Sequence, residues 1–404
     1  MRILQLCSKP PYPPTEGASI AMHNLCMGLI ANGHQVDVLA INTFKQHCDI
    51  DTVPRGFVEQ TNYTLFDVDI RIKALDAFLN LFSDKSYNIT RFYDFNFELQ
   101  LENILQKKTF DFILLETLFV TPYLNTLRKF HKGKVILRSH NVEFEIWNNM
   151  AGNEKNRIKK WYLGLLGSRL KKYELEILNQ VDGIAAISQT DAEQFKKYDC
   201  NTSMSYIPLG INFSDSEFAK YSPPTAETIC LFHVGSMDWL PHQEAFKWFL
   251  TEVLPKIQNR CPDLQLHLAG NNMPDWINED ASRNLTVTSG YVDGKKFMND
   301  KSIMVVPSLS GSGIRVKIIE GLAKGKVVVT TNNGALGINC TNNENMFISD
   351  NADEWADFIS SCVSDLEKVK MISKHARKFS EQEYGYRESA NKLVIFYEEM
   401  VQGE

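Results

Sequence analysis

Residues 305–331 read VVPSLSGSGIRVKIIEGLAKGKVVVTT. A β-branched run ends at Pro307 and a small-residue loop, Ser308 to Gly313, follows. A helical pattern then turns Ile318, Ile319 and Leu322 inward and stops at Gly325, before a second β-branched run. Strand, loop, helix and strand in that order make one step of a parallel α/β sheet. Gly311 and Gly313 let backbone N–H groups come close to a ligand, and the helix start adds the positive end of its dipole, a natural seat for phosphate. Arg315 and Lys317 bring positive charge to the same end, and a guanidinium suits two-pronged phosphate contact. The plainer reading is a βα loop with solvated cations; both glycines beside both cations favour phosphate. Glu320 lies about one and a half helical turns beyond Arg315. Its carboxylate could accept from the vicinal hydroxyls of a ribose; taken alone, it reads as a surface glutamate.

The same alternation extends outward in both directions. TICLFHVG, LQLHLAG, NLTVTSG, SIMVVPS, KVVVTT and NMFISD are short β-rich runs with helical pattern between them, and nearly all end on small polar residues. An earlier series, RILQL, QVDVLAI, FDFILLE, KVILRSH and DGIAAIS, repeats the design, with a helix expected over 18–31. Parallel sheets of this kind are covered on both faces and bind ligands at their carboxyl edges. A chain of 404 residues is too long for one ordinary core. The polar stretch SDSEFAKYSPPTAET after Gly210 reads as a linker. The expected domains are 1–213 and 214–383, with a final helix, about 384–404, crossing back onto the first.

Composition narrows the function classes. Hydrophobic residues make up 44% and charged residues 23%, which is ordinary globular usage. A formal charge of -6 argues against duplex nucleic acid as the main partner. The eight cysteines form no CxxC pair, so neither a disulfide framework nor a zinc site is expected. The opening MRILQLCSKPPYPP is too short an apolar run for a secretory signal, and no stretch approaches the roughly 20 residues that span a bilayer. A cytoplasmic protein is expected, at most resting on the inner face of a membrane.

Residues 305–331 resemble the signature of family 4 glycosyltransferases. Aligned on Glu320, Gly313 matches the first glycine of that pattern, Gly321-Leu322-Ala323 the helix after the glutamate, and Val327-Val328-Val329 the next strand. Ser312 stands where the family has an acid, Arg315 where it has a second glycine, and Lys317 where it has proline. The family's Arg and Lys after the first strand of the second domain are absent from Gly235-Ser236-Met237-Asp238-Trp239-Leu240-Pro241. Arg315 and Lys317 are inferred to supply that charge from the facing loop. PPYPPTEGASIAMHNLCMGLIANGHQVDVLA is similar to the family's first βα unit, with Gly17 kept and Glu16 in place of its neighbour. IPLGIN resembles the family's PNGVD turn, with Asn212 in place of the acid.

The resemblance implies the GT-B fold: α/β, two facing Rossmann-like domains with a deep interdomain cleft. The implied activity is transfer of a sugar from a nucleotide diphosphate sugar to an acceptor hydroxyl, as in glycan, glycolipid or polysaccharide synthesis, with retained anomeric configuration. It implies a hexosyltransferase needing no cofactor and no metal. His140 would reach the sugar, with Arg315 and Lys317 on the leaving diphosphate. Gly17, Gly235, Ser236, Gly290, Tyr291, Val292, Ser312, Gly313, Ile314, Val316 and Glu320 would bind the donor. Arg138, Asn141 and Ser188 would lie on the acceptor side. The partners are a nucleotide sugar and a glycan, lipid-linked or small-molecule acceptor, with no nucleic acid. Two alternatives stay open: a non-catalytic nucleotide-sugar-binding subunit and a GT-B sugar-nucleotide epimerase.

Residues 143–180 read as helix, with six cations (Arg157, Lys159, Lys160, Arg169, Lys171 and Lys172) around Trp161, Tyr162 and leucines. A basic amphipathic helix with a tryptophan can lie on anionic lipid, so peripheral membrane contact through 155–172 is one expectation. A helix packed on its own sheet with a solvated basic face is the other.

Overall fold

The computed structural model describes residues 1–404 except Lys45, Asp199, Asp238, Trp239, residues 280–284, Tyr291, Ser312 and Glu404. The chain divides into two compact units, Met1–Gly210 with Tyr386–Glu404, and Ile211–Gly385.

The first unit is built on β1 (Arg2–Cys7), β2 (Gln35–Asn42), β3 (Thr64–Asp67), β4 (Phe112–Glu116), β5 (Lys134–Ser139), β6 (Gly183–Ala186) and β7 (Ser203–Tyr206). They form one parallel sheet in the order β3-β2-β1-β4-β5-β6-β7. The helices that matter below are α1 (Gly17–Ala31), α2 (Ala74–Asn80), α3 (Glu143–Asn153), α4 (Arg157–Leu178) and α5 (Gln189–Lys197). The second unit carries β8 (Leu231–Val234), β9 (Leu266–Gly270), β10 (Leu285–Ser289), β11 (Ile303–Val306), β12 (Val327–Thr330) and β13 (Phe347–Ile348), with helix α6 (Val316–Ala323). Its sheet is also parallel, in the order β10-β9-β8-β11-β12-β13. The final helix, α7 (Tyr386–Gln402), belongs to the first unit.

Strand periodicity explains the core. Successive side chains point to opposite faces of a sheet. Leu4, Leu6, Ile113, Leu115, Val135 and Leu137 therefore fill one side of the first sheet. Ile3, Cys7, Phe112, Leu114 and Ile136 fill the other, against α1 and α7. Each face needs its own cover of helices, which is why the strands read as unbroken apolar runs. Helix α7 sits very close to α1: a Cβ on Gly28 would stand 2.1 Å from the Tyr386 carbonyl oxygen. In the second unit Ile318, Ile319 and Leu322 of α6 are wholly buried.

Residues 143–180 are two helices rather than one continuous pattern. The chain breaks after Asn153, and Asn156 restarts it by accepting from the backbone N–H groups of Ile158 (3.0 Å) and Lys159 (3.1 Å). This is ordinary Asn capping of a helix start.

Candidate active site

In each sheet the strand order reverses beside the first strand, between β1 and β4 and between β8 and β11. At such a switch point the loops diverge and leave a crevice at the carboxyl edge. The two sets of candidate residues stand at these two places.

In the second unit the switch point is made by the turn after β8 and the loop after β11. Gly311 and Gly313 take left-handed backbone, φ 103° and 83°, which a side chain would resist. Arg315 is the residue capping α6, and its guanidinium folds back onto its own loop. It donates to the Ser308 hydroxyl (3.2 Å), the Ser310 and Gly311 carbonyls (3.4 and 3.2 Å), the Gly313 carbonyl and Asn333 Oδ1 (3.0 Å). The expected free phosphate contact is therefore not its only employment: Arg315 holds the loop in shape. Lys317 differs. Its Nζ is turned to the end of β8, where a Cβ on Gly235 would stand 2.3 Å away. Among the described residues it makes no hydrogen bond or ion pair. Burial, with the charge of Arg315 adding to it, pulls the Lys317 amine down to about 8.

His233, His242, Phe246, Val306, Pro307 and Ser308 complete a small pocket around Arg315 and Lys317. Burial pulls both imidazoles well below their ordinary range, His242 to about 4, and the Lys317 charge adds to it. His233 is oriented by the Val305 carbonyl, 2.8 Å from Nδ1. Neither histidine was singled out in the sequence; His233 sits inside a strand run and His242 in a helix. Glu320, half-buried, has Lys295, Lys324 and Lys317 around it, which oppose the upward push of burial on its carboxyl. Ile314 and Val316 flank Arg315 and are half-buried. Gly235 and Ser236 follow β8, and Gly290 and Val292 follow β10, along the same edge of the sheet. Tyr291, Ser312 and the pair Asp238-Trp239 lie outside the described residues.

In the first unit the switch point carries a buried polar cluster. Gln5, Glu116 and Arg138 all have the strand parity of the α1 face, and Glu116 is the register partner of Arg138. All three are fully enclosed. Glu116 Oε1 accepts from Gln5 Nε2 at 2.7 Å and lies 3.4 Å from Arg138 Nη1, while Oε2 lies 2.8 Å from His140 Nε2. Burial would raise the Glu116 carboxyl, but the Arg138 charge and the His140 and Gln5 hydrogen bonds outweigh it and hold it below its ordinary value. For His140 burial wins over the attraction of Glu116, so the ring is biased to its neutral form. The carboxylate takes the proton on Nε2, leaving Nδ1 as a bare acceptor.

Arg138, expected on the acceptor side, has no surface to offer a substrate. It is wholly buried and donates to the Ala21 carbonyl (2.9 Å) and the Pro208 carbonyl (3.3 Å). Ser188 is buried and caps α5, accepting from the Asp191 N–H at 3.0 Å. Asn141 is half-buried and its amide donates to Glu143 Oε1 at 3.4 Å. Gly17 opens α1, next to Glu16, whose carboxylate is 3.4 Å from Lys9. Thr117, directly after Glu116, holds φ 79°, a costly backbone for a β-branched residue; its hydroxyl donates to Ser8 at 2.9 Å.

Three further acids stand close by. Glu174, on α4, accepts from the Glu143 and Phe144 N–H groups (3.1 and 2.9 Å) and so caps α3 from outside. Burial raises Glu174 well above the carboxylate range, Glu143 to about 7 and Asp191 to about 6.

Residues 15–215 match the family model described as Glycosyltransferase Family 4, and residues 228–365 match that described as Glycosyl transferases group 1. Sucrose-phosphate synthase from Thermosynechococcus elongatus has a similar structure, with TM-score 0.70, 15% identity and full coverage of both chains. HepE of Anabaena, solved with UDP and glucose, is similar at TM-score 0.63 and 13% identity, again over both whole chains. The two units thus define a glycosyltransferase of the GT-B fold. More particularly, the chain is family-4-like in its domain content. It is also 22% identical over 393 residues, covering 95% of this chain and 96% of the other, to an uncharacterized 44.6 kDa protein in the cps region of Klebsiella pneumoniae.

Proposed function

We propose that this protein transfers a hexosyl group from a nucleotide diphosphate sugar to an acceptor hydroxyl with retention of configuration, in polysaccharide synthesis. The observation that carries the reading is Lys317: a half-buried ammonium that makes no hydrogen bond or ion pair among the described residues, shares Glu320 with two other lysines, and is presented to a glycine turn at the switch point of the second sheet. A charge drawn out of water without a close partner of its own is costly unless an anion completes it. A diphosphate supplies that anion, and the N-terminal amides of α6 add to its binding.

In this account the bond between the anomeric carbon and the diphosphate oxygen breaks, and its electron pair leaves on the diphosphate. Lys317, the loop amides and the field of Arg315 stabilise that developing charge. The departing diphosphate takes the acceptor's hydroxyl proton as the new glycosidic bond forms on the same face. Glu320 accepts from the ribose, and His140 Nδ1 accepts from a hydroxyl of the sugar. Glu116 is a positioning residue, fixing the tautomer of His140. No metal or cofactor enters the account. The polysaccharide setting is supported by the name of the relative from a cps region, and a nucleotide donor by the UDP and glucose of the HepE structure.

The reading is tested by screening nucleotide sugars for thermal stabilisation. A donor at a hundred times its Kd adds about 2.7 kcal/mol to stability, and a Lys317→Ala variant should lose that gain.

A further inference from the structure

Helix α2 and the turn after it show an apolar stripe pointing the wrong way. Leu75, Phe78, Leu79 and Phe82 recur at i, i+3, i+4 and i+7, the spacing that normally faces a core. Here they are exposed instead, at 68, 56, 56 and 80%, with Ile72 just before them at 70%. The segment is pinned rather than trailing. The Lys73 N–H donates to the Tyr87 hydroxyl at 3.1 Å, and Arg169 of α4 donates to the Asn80 and Leu81 carbonyls at 2.8 and 3.0 Å. The Phe78 and Phe82 rings pack edge to face, 5.6 Å apart. The fold thus holds large apolar side chains out in water, a cost that a binding partner would remove.

The charge beside the stripe names the partner. Arg169 ties α2 to α4, and Ile158 points within about 20° of Arg169 around α4, Trp161 within about 80°. Both are well exposed. Around them stand Lys155, Arg157, Lys159 and Lys160, all exposed, with Glu154 the one acid among residues 154–161. Across residues 69–85 and 154–161 seven cations face four carboxylates, in a chain of formal charge -6. Of the remaining cations of α4, Arg169 is engaged on α2 and Lys171 over the Phe144 and Tyr198 rings, while Lys172 is exposed. We infer that the α2 stripe, with the first turns of α4 beside it, is a docking surface for an anionic lipid bilayer. Apolar and aromatic side chains would enter the headgroup boundary, and the lysines would meet the lipid charge. The surface is made by residues of the first unit and the donor site by residues of the second, so the inference does not depend on the proposed transfer activity.

The test is co-sedimentation of the full chain with vesicles of phosphatidylglycerol and phosphatidylcholine, or of phosphatidylcholine alone, with gel filtration of the same samples. The wild type should bind the anionic vesicles, and Phe78→Ser/Phe82→Ser should weaken binding roughly tenfold or more at every salt concentration. Lys159→Glu/Lys160→Glu should weaken it mainly at low salt, where lipid charge is least screened. All four residues are exposed, so both variants should melt like the wild type. Wild type that ignores anionic vesicles at low salt, or a serine variant that binds as the wild type does, would overturn the inference. So would a wild-type dimer that the serine pair abolishes, since the stripe would then be covered by a second copy.

Discussion

His140 Nε2 lies 2.8 Å from Glu116 Oε2, and both side chains are buried at the switch point of the first sheet. The contact fixes one ring nitrogen and offers the other. Glu116 in turn is shared with Arg138 and Gln5, so removing it has two separable consequences. Glu116→Ala leaves the buried Arg138 charge without its carboxylate and should cost roughly 3–5 kcal/mol of stability. Glu116→Gln keeps the shape and a carbonyl acceptor, so it should fold better while still lowering kcat. His140→Ala should lower kcat with donor Kd nearly unchanged. A parallel loss of donor affinity in His140→Ala, measured by calorimetry, would place the ring on the nucleotide instead.

Lys317 and Arg315 should separate by stability. Lys317→Ala removes a charge-assisted contact worth roughly 1.5–3 kcal/mol, so binding of a nucleoside diphosphate should fall about ten- to a hundredfold, with nucleoside binding kept. Its melting temperature should hold or rise, because a charge that its surroundings disfavour has gone. Arg315→Ala should weaken the same binding and also lower the melting temperature, since one side chain no longer ties together Ser308, Ser310, Gly311 and Gly313 of the loop and Asn333. Equal melting behaviour of the two variants would contradict this division of roles.

The Lys317 amine also gives a pH signature. Burial pulls it down to about 8, and only the charged form attracts a diphosphate. Donor affinity should therefore fall as pH rises through about 8, and binding above that pH should take up a proton, seen as a buffer-dependent heat. An affinity flat from pH 7 to 9 would remove Lys317 from the phosphate.

Glu143 gives the opposite kind of linkage, in stability. Burial raises its carboxyl from 4.5 to about 7, so between those pH values the folded state holds more proton than the unfolded. Stability should drop as pH rises through that window, since the slope follows the excess protons of the unfolded state. Glu143→Gln removes its share of the drop, leaving that of Glu174 and Asp191: near pH 4.5 it should match the wild type, and at pH 8 it should be more stable by about 1–3 kcal/mol. Urea melts at the two pH values decide it; an equal difference at both would deny the shift.

For Glu320 the readout is sugar discrimination. Glu320→Gln should narrow the preference for a ribonucleotide over its 2′-deoxy analogue, because an amide accepts at only one atom. Unchanged discrimination would return Glu320 to a structural role among Lys295, Lys324 and Lys317.

The α/β class and both parallel sheets were legible because fully covered strands leave long β-branched runs that end on Gly, Ser or Thr. The loop and helix of residues 308–323 were legible for the same reason: glycines at φ 103° and 83° and a helix start are local events. What one strand's composition hides is its neighbour. FDFILLE reads as an apolar run with a polar end, yet Glu116 pairs in register with Arg138 and reaches His140. Arg138 looked like a cation at an open edge, and the carbonyls of Ala21 and Pro208 that enclose it come from distant sequence. Arg315 and Lys317, two residues apart, looked alike; only the fold shows one turned into its loop and the other onto Gly235. The α2 stripe has a core-facing spacing, and nothing local says that it faces water.

The most direct measurement is release of nucleoside diphosphate from a stabilising nucleotide sugar, followed with and without acceptor glycans, by wild type and by Lys317→Ala. The account predicts slow release from donor alone by the wild type, a marked increase with a cognate acceptor together with a glycosylated product, and loss of both in the variant. Binding of the donor with no release under any acceptor, or conversion of the donor sugar to its epimer without a glycosylated product, would contradict it.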